Sequence, residues 1–365
     1  MRKVLFVPSG IGLGHAVRTH NIINHVRKKA EFRLATYGDS TPFFNKLGYE
    51  QIKLRGFNYH GEYSFELMQT LVKEADIFFK LAGDYLKLSR YAQEFPYDTI
   101  VSDSDPIGII TANFLRKRNV LIENLQIVLD EAKYLPKRFQ ETLSYQIGLV
   151  QELEKYITQY LDLILVTSFN NNKYADKKKH NIGLVMNSKT DDNSYKNALK
   201  NEFIAVPING SALSYNIVHE LISVFKNFPK QNFYFINFPT KIIKKIKNIY
   251  LLPFMHPPEL RAYMKASKAV VSFAGHSTLT EIAHFKKPSL ILPLPNHIEQ
   301  ISNATFFRRN KLAEVVFPRQ KYENESVTRA LTKLFANLNA YEENIKSMNF
   351  NFNGAENAEK LILTD

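Results

Sequence analysis

Ala269-Val-Val-Ser-Phe-Ala-Gly-His-Ser-Thr-Leu-Thr-Glu281, continued by Lys287-Pro-Ser-Leu-Ile-Leu-Pro-Leu-Pro-Asn-His-Ile-Glu-Gln300, decides the fold. It reads as a buried strand, a glycine turn, a helix, a second buried strand and a polar loop. Val270 to Phe273 is apolar and β-branched at its start. Gly275 permits a sharp turn with close backbone approach. Ser277 and Thr278 are good N-cap residues, and the helix is expected to run to about Phe285. Leu290 to Leu292 resumes a strand, which Pro293 and Pro295 stop. A helix N-terminus after a strand offers free N–H groups and partial positive charge, so a nucleotide diphosphate is expected here.

Outward from this stretch the same alternation repeats. Lys3 to Val7 is a continuous apolar strand of the kind covered on both faces in a parallel sheet. It leads into Pro8-Ser-Gly-Ile-Gly-Leu-Gly-His15 and an expected helix from Ala16 to Lys28, then a strand from Phe32 to Tyr37. Strand, glycine turn, helix and strand make a βαβ unit. A dinucleotide fingerprint would want a third Gly at position 15, where His15 stands, although Asp39 has the place of its acidic residue. Further strands are expected at Tyr97–Ser102, Val120–Asn124, Asp162–Thr167, Phe203–Pro207, Phe233–Asn237 and Ile249–Leu252. A long amphipathic stretch is expected from about Tyr134 to Tyr160. Helices are expected at Tyr215–Phe228, Pro258–Ala266, Ile301–Asn310 and Ser326–Leu338. The polar stretch from Asn170 to about Lys200 is the expected interdomain connection.

A chain of 365 residues with 45% apolar and 23% charged residues is that of a globular protein with two domains of ordinary size. It contains no cysteine, which excludes disulfides, thiolate catalysis and Cys-based zinc sites. The net charge of +13 favours anionic partners. The basic clusters are scattered and no nucleic-acid motif accompanies them, so no nucleic-acid partner is expected. Residues 62–95 are expected to be helical and are rich in aromatics, with Lys73, Lys80, Lys87 and Arg90 recurring along them. They read as core plus surface, or as an interfacial segment that also touches lipid. No apolar run reaches the roughly 18 residues of a membrane span, and the apolar run at the N-terminus is too short for a signal peptide. The cytoplasm is the expected location, with peripheral attachment at the inner face of the cell membrane as its variant.

With these stretches in hand, the chain resembles the glycosyltransferases of the GT-B fold. Within them it is most similar to family 28, the MurG-type lipid-linked N-acetylglucosaminyltransferases, and to an archaeal MurG-like branch. Gly10-Ile-Gly-Leu-Gly-His15 resembles that family's N-terminal glycine loop. Asn209-Gly-Ser211 resembles the Gly-Gly-Ser turn that opens its second domain. Ala274-Gly-His-Ser-Thr-Leu-Thr-Glu281-Ile-Ala resembles its donor motif Ser-Gly-Ala-x-Thr-x-x-Glu-Ile-Ala. His297-Ile-Glu-Gln-Ile-Ser-Asn-Ala304 resembles its Asp-x-Gln-Gln-x-x-Asn-Ala segment. Asn209 departs from a Gly and Glu299 from a Gln, both near the expected sugar, so the sugar and the acceptor stay open.

The resemblance implies an α/β protein of two doubly wound Rossmann-like domains facing a central cleft. Residues 1–185 would bind the acceptor, 186–345 the nucleotide-sugar donor, and 346–365 would form a tail that packs back toward the N-terminal domain. The implied activity is inverting transfer of a sugar, N-acetylglucosamine by resemblance, from a UDP-sugar to a lipid-linked or membrane-associated acceptor. The UDP-sugar is a co-substrate; no cofactor is expected. The acceptor would be a lipid or lipid phosphate, an anionic membrane surface would be a further partner, and the oligomeric state is open. A UDP-sugar 2-epimerase of the same fold and a non-catalytic nucleotide-sugar-binding subunit are the alternatives.

Site residues follow from the matched motifs. Gly275, His276, Ser277 and Thr278 would hold the diphosphate, with Ser211 reaching the diphosphate or the sugar. Glu281 would hold the ribose, or, as Thr278-x-x-Glu281, would close a capping box that satisfies the helix without a ligand. Outside a ligand site His276 would be an exposed turn residue. Gln300 would bind the sugar, Asn303 would brace a helix, and the loop of Phe254 and Met255 would frame the uracil or simply pack. His15 has the chemistry of a general base for the acceptor hydroxyl. Asp103 and Asp105, also at a strand end, are its rivals or its orienters. Gly12, Gly14 and Arg18 are placed at the acceptor, with Arg18 one helical turn from His15 and able to meet an acceptor phosphate. Asp-x-Asp marks metal-dependent transferases of another fold, and helix N–H groups would hold the diphosphate here, so no obligatory metal is expected.

Overall fold

From Val4 onward, Lys3–Pro8 (β1) is buried, as an apolar strand in the middle of a sheet must be. The computed structural model describes residues 1–56, 76–187, 202–208 and 212–364, with the side chains of 212–214 left aside. Ser211 therefore lies outside the described residues, as do Asn209, Gly210, residues 188–200 of the expected connection and residues 57–75 of the aromatic stretch. β1 is flanked by Glu31–Thr36 (β2) and Thr99–Asp103 (β4). Ile52–Lys53 (β3), Arg118–Glu123 (β5), Leu163–Val166 (β6) and Lys179–Asn181 (β7) complete a sheet in the order β3-β2-β1-β4-β5-β6-β7. All its pairings are parallel.

The second sheet repeats the plan. It contains Phe203–Pro207 (β8), Asn232–Ile236 (β9), Lys244–Ile246 (β10), Ile249–Leu251 (β11), Ala269–Ser272 (β12), Ser289–Ile291 (β13) and Glu314–Val315 (β14). Their order is β10-β11-β9-β8-β12-β13-β14, and only the edge strand β10 is antiparallel. In both sheets the strand order reverses beside the first strand, between β1 and β4 and between β8 and β12. Ligands of such sheets bind at the carboxyl ends of the strands, at these switch points.

Several expectations are corrected locally. The amphipathic stretch Tyr134–Tyr160 divides into two helices: Pro136 opens a short one, Lys137–Thr142, and Ser144–Thr158 follows. The helix expected from Ile301 begins a turn earlier, at Ile298, with His297 in the N-cap place. The polar connection begins later than Asn170, because Lys179–Asn181 pairs with β6. Of the aromatic stretch, Ile77–Glu94 is a helix that buries only Asp84 and Leu88 and exposes Phe78 and Phe79.

Gly354–Leu363 is a helix whose Ala355, Ala358 and Ile362 enter the core under the first sheet. Arg118 caps its end by donating to the Leu361 and Ile362 carbonyls. The seam between the sheets is apolar at its centre, where the Phe169 ring lies 5.7 Å from Phe306 and 5.2 Å from Phe307. At its margin buried Glu131 accepts two hydrogen bonds from Arg309, at 3.0 and 2.7 Å.

Candidate active site

The first wall of the site is the turn after β1. The Ser9 N–H donates to the Asp103 carbonyl at 3.0 Å, which ties the turn to β4. Gly10 has no room for a side chain, since a Cβ would stand 2.4 Å from the Tyr37 carbonyl oxygen. Gly12 has φ 73°, a left-handed conformation that suits glycine, and its N–H donates to Asp39 Oδ2 at 3.0 Å. Asp39 thus serves the turn, one of its oxygens accepting from it.

Helix Leu13–Val26 follows at once. His15, Arg18 and Thr19 stand at i, i+3 and i+4, so they share one face, and that face meets Asp103. His15 Nδ1 is 2.8 Å from Asp103 Oδ1, while Arg18 Nε and Thr19 Oγ1 donate to Asp103 Oδ2 at 2.9 and 3.0 Å. Arg18 Nη2 also donates to Asp103 Oδ1, which makes the pair bidentate. Asp103 is 1% exposed, and burial alone would raise its pKa; the Arg18 charge and the hydrogen bonds of Arg18 and His15 outweigh burial and hold it at about 2. His15 keeps a side chain 24% exposed.

Two expectations change here. Arg18 does not meet an acceptor phosphate: it is buried, and its guanidinium is committed to Asp103 and to Asn124 Oδ1 at 3.2 Å. Asp105 is buried as the N-cap of helix Pro106–Phe114, accepting from the Ile107 N–H at 2.9 Å and from the Tyr37 hydroxyl at 2.6 Å. Burial pushes its carboxyl up to about 6. Both of its oxygens have structural partners, so it does not compete with His15 for an acceptor proton.

The second wall is the turn after β12. Helix His276–Phe285 has Gly275 in the N-cap place and no side-chain cap. The expected N-caps Ser277 and Thr278 instead lie inside the first turn, and the Thr278–Glu281 capping box does not form. The N–H groups at this end therefore have no side-chain cap. Asn303, fully buried, braces the turn by donating to the Ala274 carbonyl at 3.0 Å. His276 is not exposed: it is 8% accessible, its ring is 4.7 Å from Phe169, and its Nε2 has no partner among the described residues. Burial, with the charges of Arg18 and His15, lowers its pKa to about 3, so it is neutral.

Glu281 turns to Arg261, with Nη1 and Oε1 3.8 Å apart. Its side chain is 15% exposed, and burial lifts its pKa to about 7 against the pull of Arg261. Gln300 Oε1 accepts from the Leu294 N–H at 3.0 Å. Met255 is buried, its N–H donating to Asn237 Oδ1 at 2.8 Å, while Phe254 is 52% exposed with Lys46 Nζ 4.4 Å from its ring. The two walls touch: a Cβ on Gly14 would stand 3.3 Å from Ser277 Oγ. His15, Gly14, His276 and Ser277 are therefore gathered at one seam, with Phe254 and Met255 on the loop after β11.

Sequence reasoning missed Thr19, Tyr37, Asn124, Phe169 and Arg261. The i+4 spacing from His15 signals Thr19. Asn124, directly after an apolar strand, carries the same strand-end signal as Asp103. Arg261 and Phe169 have none, because their partners are distant in sequence.

The architecture is that of the GT-B glycosyltransferases. A spinosyn rhamnosyltransferase, SpnG, matches the fold with a TM-score of 0.69 at 12% identity, over 99% of this chain and 100% of that one. The chain belongs to the family described as Glycosyl transferase family 1, whose model matches residues 2–335. An uncharacterized glycosyltransferase of Methanosarcina acetivorans is 27% identical over 320 residues, 83% of this chain and 82% of its own length. A Clostridium botulinum UDP-N-acetylglucosamine–N-acetylmuramyl-(pentapeptide) pyrophosphoryl-undecaprenol N-acetylglucosamine transferase is 33% identical over 107 residues, which are 28% of this chain and 30% of that protein.

Proposed function

We propose that this glycosyltransferase moves N-acetylglucosamine from UDP-N-acetylglucosamine, with inversion, to a lipid-linked or membrane-associated acceptor. One observation carries the reading: His15, held by Asp103, stands where Gly14 meets Ser277 at an uncapped helix N-terminus. The donor named for the Clostridium botulinum relative supports the choice of sugar nucleotide.

Two groups face His15 Nδ1, the Asp103 carboxylate at 2.8 Å, which only accepts, and Arg18 Nη2 at 3.1 Å, which only donates; we take the shorter contact to set the Nδ1–H tautomer, which leaves Nε2 as an acceptor. It takes the proton of the acceptor hydroxyl as that oxygen forms its bond to the anomeric carbon. The bond from that carbon to the β-phosphate oxygen breaks on the opposite face, and its electron pair leaves with UDP. A single displacement inverts the anomeric centre. Ionised Asp103 fixes the imidazole and stabilises its protonated form, the role of the acid in a triad. The N–H groups of Gly275 to Thr278 and the Ser277 and Thr278 hydroxyls receive the diphosphate charge. Glu281 takes the ribose hydroxyls and Gln300 the sugar. Asp103 and Asp105 are engaged by Arg18, His15, Thr19, Tyr37 and the Ile107 N–H, and this donor set suits no divalent cation, so we read the transfer as metal-independent.

The lipid character of the acceptor is supported by the net charge of +13 and by Phe78, Phe79, Leu86 and Phe114, which are 80%, 79%, 53% and 68% exposed. Among the described residues no helix is long and apolar enough to cross a membrane. A thermal-shift screen of nucleotide sugars tests the donor, since a ligand of the folded state raises apparent stability. UDP and UDP-N-acetylglucosamine are expected to stabilise the protein more than other nucleotides, and stabilisation by thymidine or guanosine diphosphates alone would refute the assignment. UDP release that needs no acceptor would favour a 2-epimerase.

A further inference from the structure

One line of polar contacts crosses from the His15 cluster to the loop of Gln300. Arg18 Nη1 donates to Asn124 Oδ1 at 3.2 Å, and Asn124 Nδ2 donates to Glu299 Oε1 at 2.7 Å. Asn124 is 4% exposed and directly follows β5, while Glu299 opens helix Ile298–Arg309, next to Gln300. The amide of Asn124 is thereby oriented. Its oxygen faces a guanidinium, which only donates, and its N–H2 faces a carboxylate, which only accepts. A flipped amide would set donor against donor on one side and acceptor against acceptor on the other. The resembling family has Gln where this chain has Glu299. A Gln there presents either end of its amide, whereas a carboxylate admits one orientation of Asn124.

We propose that Asn124 and Glu299 are positioning residues that tie seating of the donor loop to the alignment of His15. Glu299 holds Asn124, Asn124 holds one arm of Arg18, and the other arms of Arg18 hold Asp103. Asp103, 2.8 Å from His15 Nδ1, in turn favours the tautomer with Nδ1 protonated and Nε2 free over the one in which Nδ1 accepts from Arg18 Nη2 at 3.1 Å. Glu299 comes from the second domain and the other members from the first, so the line is complete only when the two walls of the site are together. The inference rests on the reading of His15 as the base.

The test uses the full chain and two readouts. In UDP release from UDP-N-acetylglucosamine in the presence of a lipid-phosphate acceptor extract, Asn124→Ala and Glu299→Ala should each lower kcat about tenfold or more while KM for the donor moves less than about threefold. Glu299→Gln, which keeps an acceptor oxygen, should recover most of the loss. The double Ala variant should be no worse than the poorer single one, the non-additivity of residues acting in one line. Equal loss through KM alone, or additive losses, would overturn the relay. The second readout needs no turnover: ¹⁵N shifts of selectively labelled histidine should show His15 as the Nδ1–H tautomer in the wild type and as a tautomer mixture in Asn124→Ala. Unchanged His15 shifts in that variant would overturn the relay even if kcat fell. A wild type that turns over no UDP-sugar would sink the donor reading, and the histidine shifts would still decide the relay.

Discussion

Gly14 and Ser277 meet across the seam, with 3.3 Å between the place of a Gly14 Cβ and the Ser277 oxygen. Gly14 lies in the first turn of helix Leu13–Val26, where glycine is a poor helix former. Gly14→Ala gains up to about 1 kcal/mol of helix propensity but sets its methyl group against Ser277 in the same fold, so stability should stay within about 1 kcal/mol of the wild type while turnover falls because the methyl group presses on the donor turn. Urea unfolding and acceptor-dependent UDP release, measured on the same sample, should show the loss of turnover without a matching loss of stability. Full activity in the Ala variant would show that the walls need not approach this closely.

The bidentate contact between Arg18 and Asp103 is buried, at 5% and 1% exposure. Removing one partner leaves an uncompensated charge, so Asp103→Leu or Arg18→Met alone should cost about 3–5 kcal/mol. The double variant should cost less than either single one, as the urea midpoints will show. A double variant as unstable as the sum of the singles would mean that the pair is not the unit of stability here.

Glu281 carries a pH signature. Its folded pKa, about 7, lies above the ordinary 4.5, so the folded state holds the proton longer than the unfolded chain. The stability this supplies is full below pH 4.5 and is lost as pH rises toward 7. The loss is up to about 3 kcal/mol, less what partial exposure removes. Glu281→Gln should flatten that part of the profile of melting temperature against pH and should also weaken UDP binding. A profile with the same slope in both proteins would contradict the burial of this carboxylate.

Most of the fold was legible because parallel sheets announce themselves. β1, β6, β8 and β12 are short apolar runs between turn residues, and their helices carry 3.6-residue spacing. The edge strands β3, β7, β10 and β14 have two or three residues each and no such pattern. In the site, the glycine turns and His15 were legible as motifs. The roles of Arg18 and Asp105 were not, because burial decides them: an exposed arginine would seek a phosphate, and a buried one beside Asp103 cannot. The absent capping box at Thr278 has a similar cause. The helix begins at His276, two residues before the side chain that would have capped it.

The exposed aromatics of helix Ile77–Glu94 predict lipid contact. Phe78 and Phe79, replaced together by Ser, should reduce co-sedimentation with anionic phosphatidylglycerol vesicles and leave the melting temperature nearly unchanged, since both rings are about four-fifths exposed. Raising the salt should weaken binding of the wild type, because its attraction is partly electrostatic. Binding that survives both changes would place the membrane contact elsewhere.

His15 as the base is tested most directly by UDP release from UDP-N-acetylglucosamine in the presence of a lipid-phosphate acceptor extract, comparing wild type with His15→Ala. Acceptor-dependent release by the wild type should fall by about 10² to 10⁴ in the variant, while the thermal stabilisation by UDP stays as it was. A His15→Ala protein that releases UDP at the wild-type rate would contradict the account.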